Sequence, residues 1–116
     1  MNYLIGYDIG SSSIKATLLE ADNGKVIATS HSPNTELSIQ SPFPGWAEQD
    51  PNIWWRHVQL TTHHILSHSG IHPLDIQGIG LSYQMHGLVI VNKERKLLRP
   101  AIIWCDSRSV DIGNKA

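Results

Sequence analysis

Two β-patterned runs, separated by a gap too short for a helix, constrain this chain more than anything else in it. Residues 3–8 (YLIGYD) are mainly apolar and end in an acid. Residues 14–20 (IKATLLE) alternate, with Ile14, Ala16 and Leu18 on one side and Lys15 and Thr17 on the other, which is strand period. Only IGSSS lies between them, so the chain has to double back and pair the two runs antiparallel. Asp22-Asn23-Gly24 is a second turn signal and 25–31 (KVIATSH) a third strand. The chain therefore opens as a meander of three antiparallel strands.

Residues 32–49 read as a long loop, with Pro33, Pro42, Pro44 and Gly45; a connection of that length in a compact domain is more often functional than idle. Trp46 is expected to anchor it by burial. Asp50-Pro51 opens a helix, Asp as N-cap and Pro at the first helical position. Trp54, Val58, Thr61 and Ile65 recur at helical spacing, with Trp55 and Leu66 widening the stripe. Gly70 closes the helix and Pro73 blocks its resumption. Residues 75–83 (DIQGIGLSY) read as a buried strand, and 87–91 and 96–104 as further strands around a hairpin turn at Asn92 to Arg95. Pro100 is expected at an edge or a strand start. Asp106 or Ser107 is placed to cap a last helix. The order β-β-β-α-β predicts an α/β fold, a mixed sheet with a helix packed on it. A chain that stops where a helix begins reads as an incomplete domain, part of a longer protein.

Composition closes off several classes. Nine Lys+Arg against 10 Asp+Glu give a net charge of −1, so no nucleic-acid partner gripped through its phosphates is expected. No apolar run of about 18 residues exists, so no membrane-spanning helix is expected. The start, MNYLIGYDIG, lacks a basic region and carries Asp8 in its apolar stretch, which argues against a cleaved signal peptide. The single Cys105 cannot form an internal disulfide, and a reducing, cytoplasmic setting is expected.

Three segments have the residue types for chemistry. In Asp8-Ile9-Gly10-Ser11-Ser12-Ser13-Ile14-Lys15, Asp8 ends a strand beside a turn, where one carboxylate can serve Mg²⁺ through retained waters. Gly10 permits close backbone approach, and the amides and hydroxyls of Ser11, Ser12 and Ser13 can donate to phosphate oxygens. Read by itself, the same pattern is also an ordinary turn. It is not a P-loop, and Gly78-Ile79-Gly80 is not a dinucleotide fingerprint, because position 83 is Tyr. In Tyr83-Gln84-Met85-His86-Gly87, directly after a strand, Gln84 and His86 can hydrogen-bond hydroxyls and Met85 can pack on a carbon skeleton; the alternative is a histidine satisfied in a turn. In Trp104-Cys105-Asp106-Ser107-Arg108, an aromatic face beside a carboxylate and a guanidinium suits a polyol, or else Asp106 is a helix cap. His57, His64 and His68 fall on one side of the helix without an acid to complete a metal site, and are expected to face solvent.

Taken together these segments resemble the N-terminal part of the FGGY carbohydrate kinase family. Asp8 to Lys15 matches its D-x-G-[ST]-[ST]-x-x-[KR] phosphate turn, and Gly45-Trp46-Ala47-Glu48-Gln49-Asp50-Pro51 with Trp54-Trp55 matches its W-x-E-Q-D-P lead into the first helix. Gln84-Met85-His86-Gly87 and the stretch from Arg99 to Arg108 look like its xylulokinase branch. The resemblance implies a ribonuclease H-like (actin-type ATPase) fold, with residues 1–116 as the N-terminal part of the first, sugar-binding domain and the second domain absent. It implies ATP and Mg²⁺ as cofactors. Asp8 would serve the metal and the phosphates, Gly10, Ser11, Ser12, Ser13 and Lys15 would serve ATP, and Gln84, Met85, His86, Trp104 and Asp106 would line the sugar pocket. The reaction implied is transfer of the γ-phosphoryl of ATP to a sugar hydroxyl, D-xylulose first. Gluconate, ribulose or glycerol kinases and a non-catalytic nucleotide- or sugar-binding domain are the alternatives. The family's catalytic base lies beyond position 116, so this stretch alone is expected to be inactive. Apolar surface left uncovered is expected to favour self-association, through the hairpin at 87–99.

Overall fold

A computed structural model describes residues 1–116. Strands β1 (Tyr3–Ile9), β2 (Ile14–Glu20) and β3 (Val26–Ser32) form the expected antiparallel meander, the third displaced by one residue. β4 (Glu48–Gln49) precedes helix α1 (Pro51–Ser69), and β5 (Ile76–Tyr83) follows it. β5 pairs parallel with β1, giving the order β3-β2-β1-β5. Parallel pairing follows from α1, whose crossover returns the chain to the same end of the sheet.

The helix begins and ends where its caps require. Asp50 accepts a hydrogen bond from the Asn52 amide at 2.9 Å, and Gly70 closes the last turn in the left-handed conformation, φ 68°. Its apolar stripe packs Ile65 against Ile5, Tyr7, Ala16 and Leu18 of the sheet. It lies chiefly across β2 and β3.

That placement corrects two expectations. β5 is a strand, but it is not buried: Ile79, Leu81 and Tyr83 are exposed, because no element covers the sheet beyond β1 on the helix side. Trp55, on the flank of the helix stripe, stays 63% exposed for the same reason. Tyr7, Ile9, Val58, Leu66, Ile79 and Leu81 line an apolar groove of about 490 Å³ between α1 and the β5 edge.

The segment after β5 holds less strand than its sequence suggests. The 87–91 and 96–104 runs reduce to single bridges, Leu88 with Ile102 and Val91 with Leu97, and to β6 (Ala101–Ile102) immediately after Pro100. The turn at Asn92 to Arg95 does form, with the Lys96 carbonyl accepting from the Asn92 amide. β6 pairs instead with β4, making a second, two-stranded sheet around buried Ala47, Ala101 and Ile103. The last helix, α2 (Val110–Gly113), starts later than expected, after Ser109, because Asp106 and Ser107 are bonded elsewhere.

His64 and His68 are exposed as expected, but His57 is half-buried and its Nδ1 shares a 2.7 Å hydrogen bond with Ser32 Oγ. No helix is long and apolar enough to cross a membrane.

Candidate active site

The alternation that buries Ile5 and Tyr7 turns Asp8 to the opposite, open face of β1. There it lies opposite Lys15 in the β1–β2 register, with the charges 3.7 Å apart and both side chains more than half exposed. Gly6, Thr17, Gly80 and Ser82 surround the pair, so this face is floored by small and polar groups. An ion pair this exposed is worth under about 1 kcal/mol. The fold therefore does not depend on it, and the carboxylate is accessible.

The turn that follows has a definite polarity. The Gly10 amide donates to the Ser13 carbonyl at 3.1 Å, and a Cβ at Gly10 would lie only 3.0 Å from that oxygen. The Ser11 carbonyl accepts from Gln49 Nε2 at 2.6 Å, and the Ser12 carbonyl accepts from the Leu37 amide at 2.7 Å. The amides of Ser11, Ser12 and Ser13 have no protein acceptor. Acceptors are thus tied back into the protein while donors are left free, the arrangement of an anion-binding nest.

β5 carries its own segment to this end of the sheet. The Gln84 amide donates to the Ile9 carbonyl at 3.0 Å, so Gln84 to Gly87 leave the sheet directly beside the turn. Met85 is 69% exposed, and His86 is exposed with φ 60°. Gln84 differs from both: its carboxamide oxygen and nitrogen are buried without a hydrogen-bond partner. Trp104 reaches the turn from the far end of the chain, its indole donating to Ser11 Oγ at 3.2 Å. Asp8, Lys15, the serine turn, Gln84 to His86 and Trp104 are therefore gathered at the carboxyl end of β1 and β5, where open α/β sheets bind ligands.

Residues 3–115 match the profile of the FGGY family of carbohydrate kinases, N-terminal domain. The chain belongs to the FGGY family of carbohydrate kinases. It is similar to the xylulose kinase of Klebsiella pneumoniae, with 37% identity over 92% of this chain and 21% of that protein. It is also similar to the xylulose kinase of Bacillus subtilis, with 39% identity over 94% of this chain and 21% of that one. A xyloylose kinase structure from Brucella ovis superimposes with a TM-score of 0.86 at 34% identity, over 98% of this chain and 23% of that chain. A glycerol kinase of Citrifermentans bemidjiense, 34% identical over 97% of this chain and 22% of its own length, also matches. The chain spans about a fifth of the length of these relatives. Its mixed sheet is the opening part of the ribonuclease H-like, actin-type ATPase fold.

In this FGGY chain the Asp106 carboxylate is bonded within the protein on both oxygens. Its side chain is 4% exposed. It accepts from the Ala47 amide at 2.7 Å, the Arg108 amide at 2.9 Å, and Arg108 Nε and Nη2. The Arg108 side chain, helped by the two amides, pushes its pKa down to about 2 against the opposing effect of burial. Arg108 also donates to Glu48 at 2.8 Å, and Arg99 donates to the same Glu48 oxygen. The resulting Asp106–Arg108–Glu48–Arg99 network clamps the β4–β6 sheet.

Trp46, half-buried, holds its loop between the edge of Phe43 and the Arg108 guanidinium 3.7 Å above its ring. Gly45 closes the loop at φ 79°, and a Cβ there would come within 2.6 Å of Ser107 Oγ. Glu48 and Gln49 stand in the quoted motif, yet sequence reasoning gave them no role. Their only signal was a polar pair directly ahead of a capped helix; their burial comes in part from β6, far downstream.

Proposed function

We propose that the complete gene product transfers the γ-phosphoryl group of ATP to a hydroxyl of a ketose, D-xylulose before other sugars. The observation that carries this reading is the polarity of the Gly10–Ser13 turn: three free amides beside an accessible carboxylate, with the turn's carbonyls bonded behind them. Phosphoryl transfer depends mainly on positioning and on stabilising charge on the transferring oxygens. The Ser11 to Ser13 amides would meet those oxygens, and the Lys15 ammonium adds positive charge close by.

Mg²⁺ suits this site as an ion that arrives with the nucleotide. Asp8 is a single half-exposed carboxylate, and no group of three or more His, Cys, Asp or Glu side chains gathers to hold a resident metal. It would reach the ion through water, as Mg²⁺ usually keeps several of its waters. Bound there, the ion would neutralise phosphate charge.

Met85 offers a flexible apolar surface to a carbon skeleton, His86 a hydrogen-bonding ring to a hydroxyl, and Trp104 an aromatic face to C–H groups. An orphaned buried carboxamide such as Gln84 costs about 1–3 kcal/mol, which supports a polar partner from outside this stretch. Asp106 is left out of the pocket, since its oxygens are already taken. The xylulose kinases among the relatives support a ketose; the glycerol kinase makes polyols the next substrates to try.

No residue of this stretch is assigned as general base, so residues 1–116 alone would bind weakly and turn over nothing useful. A reducing cytoplasmic setting is supported by the single exposed Cys105, and self-association through the 87–99 segment by its exposed Leu88 to Val91 and Leu98. The test is a coupled ADP-release assay on the complete gene product with ketoses, sugar acids and polyols. Turnover highest with D-xylulose is expected. Turnover with another sugar alone moves the substrate, and nucleotide binding without turnover on any of them overturns the kinase reading in favour of a binding domain.

A further inference from the structure

Gln49 is 3% exposed and joins three parts of the chain. Its Oε1 accepts from the Trp54 indole at 3.0 Å, and its Nε2 donates to the Ser11 carbonyl at 2.6 Å. An indole N–H can only donate, so Oε1 must face Trp54 and the NH₂ must face Ser11. The amide orientation is therefore dictated by chemistry, not chosen between two equivalent placements. β4 pairing with β6, Gln49 opposite Ala101, holds the backbone that carries it.

The consequence lies in the peptide plane. The Ser11 carbonyl and the Ser12 amide belong to one trans peptide unit and point in opposite directions. A donor that captures the carbonyl from behind therefore aims the amide forward. Leu37 does the same for the next unit, its amide on the Ser12 carbonyl aiming the Ser13 amide forward. A flip of the Ser11–Ser12 unit would put a carbonyl oxygen where a phosphate oxygen is meant to sit.

We propose that Gln49 is a positioning residue that fixes the polarity of the phosphate turn, holding the Ser11 carbonyl back so that the Ser12 amide faces the transferring phosphoryl group. This rests on the kinase reading above. It makes Gln49 a determinant of nucleotide handling, although it touches no substrate.

Two variants of the complete gene product separate this role from general support. Gln49→Met keeps length and burial but removes both the donor to Ser11 and the acceptor of the Trp54 indole. Gln49→Glu replaces the donor by an acceptor facing the Ser11 carbonyl oxygen, which favours the flipped peptide. Gln49→Met also loses the bond from the Trp54 indole, which Gln49→Glu can keep, so melting temperature alone does not separate them and nucleotide affinity is the deciding readout. Their nucleotide behaviour should not match: KM for ATP, or the Kd for ADP with Mg²⁺, is expected to rise about tenfold for Gln49→Met and further for Gln49→Glu. KM for the sugar should change less than about twofold in Gln49→Met. Equal effects on ATP and sugar, or nucleotide affinity in Gln49→Glu equal to the parent, would overturn the proposal. Gln49→Met is the deciding variant where Gln49→Glu does not fold. A parent protein that neither binds ADP nor transfers phosphoryl would instead refute the kinase reading, so the two failures are distinguishable.

Discussion

Asp106→Asn tests whether the Asp106 carboxylate supports the scaffold or meets the sugar. The carboxylate accepts four charge-assisted or backbone bonds within 2.9 Å, from the Ala47 and Arg108 amides and from Arg108 Nε and Nη2. Asn preserves shape and at least one acceptor but loses the charge that Arg108 pairs with. Hydrogen bonds to charged groups are worth about 1.5–3 kcal/mol each. Arg108 keeps its bond to Glu48, which returns part of the loss. A net destabilisation of about 2 kcal/mol follows. Urea unfolding at pH 7, followed by tryptophan fluorescence, should move its midpoint down by about 1 M with an unchanged slope, for a slope of about 2 kcal/mol/M.

Acid provides an internal check on the same residue. Its folded pKa of about 2 lies below the ordinary 3.8, so the stability it contributes is present above 3.8 and lost as pH falls from there to about 2. The gap between parent and Asp106→Asn should therefore be full at pH 7 and close towards pH 2. An unchanged midpoint at pH 7, with KM for the sugar raised in the complete gene product, would refute the scaffold role and return Asp106 to the pocket.

Other outcomes follow from the same geometry. Asp8→Ala in the complete gene product should reduce phosphoryl transfer by about 10²–10³, while urea unfolding moves by less than about 0.5 kcal/mol, since the Lys15 pair is exposed. Parental turnover in that variant would remove Asp8 from the mechanism. Ile65→Ala, at a position with no exposed surface under the helix, should cost about 3 kcal/mol in urea unfolding. Gly45→Ala should destabilise the β4 loop by at least about 1 kcal/mol through its positive φ and the Ser107 clash, read as a lowered melting temperature.

The local pattern carried the meander, the capped helix and the parallel fifth strand, because each depends on short-range information. Alternation sets which face of β2 is apolar; a gap too short for a helix forces a hairpin; Asp50 and Gly70 mark helix ends through hydrogen bonds and φ values that only nearby residues supply. That Asp8, the serine turn and Met85 would lie at strand ends was legible for the same reason, since strand ends and small-residue turns are written in consecutive positions.

Tertiary structure alone decided what the remaining polar residues do. Asp106 looks alike in sequence whether it caps a helix, binds a hydroxyl or pairs with an arginine; proximity to Ala47 and Arg108 selects the last. Glu48 and Gln49 are buried between β6, the serine turn, Trp54 and the two arginines, and the exposure of β5 follows from where α1 lies on the sheet. Burial and long-range pairing are properties of the whole packed chain, so no window of neighbouring residues contains them. The polarity of the serine turn belongs to the same class: the residues that can donate are written in the sequence, but the direction in which their amides point is set by Gln49 and Leu37 from behind.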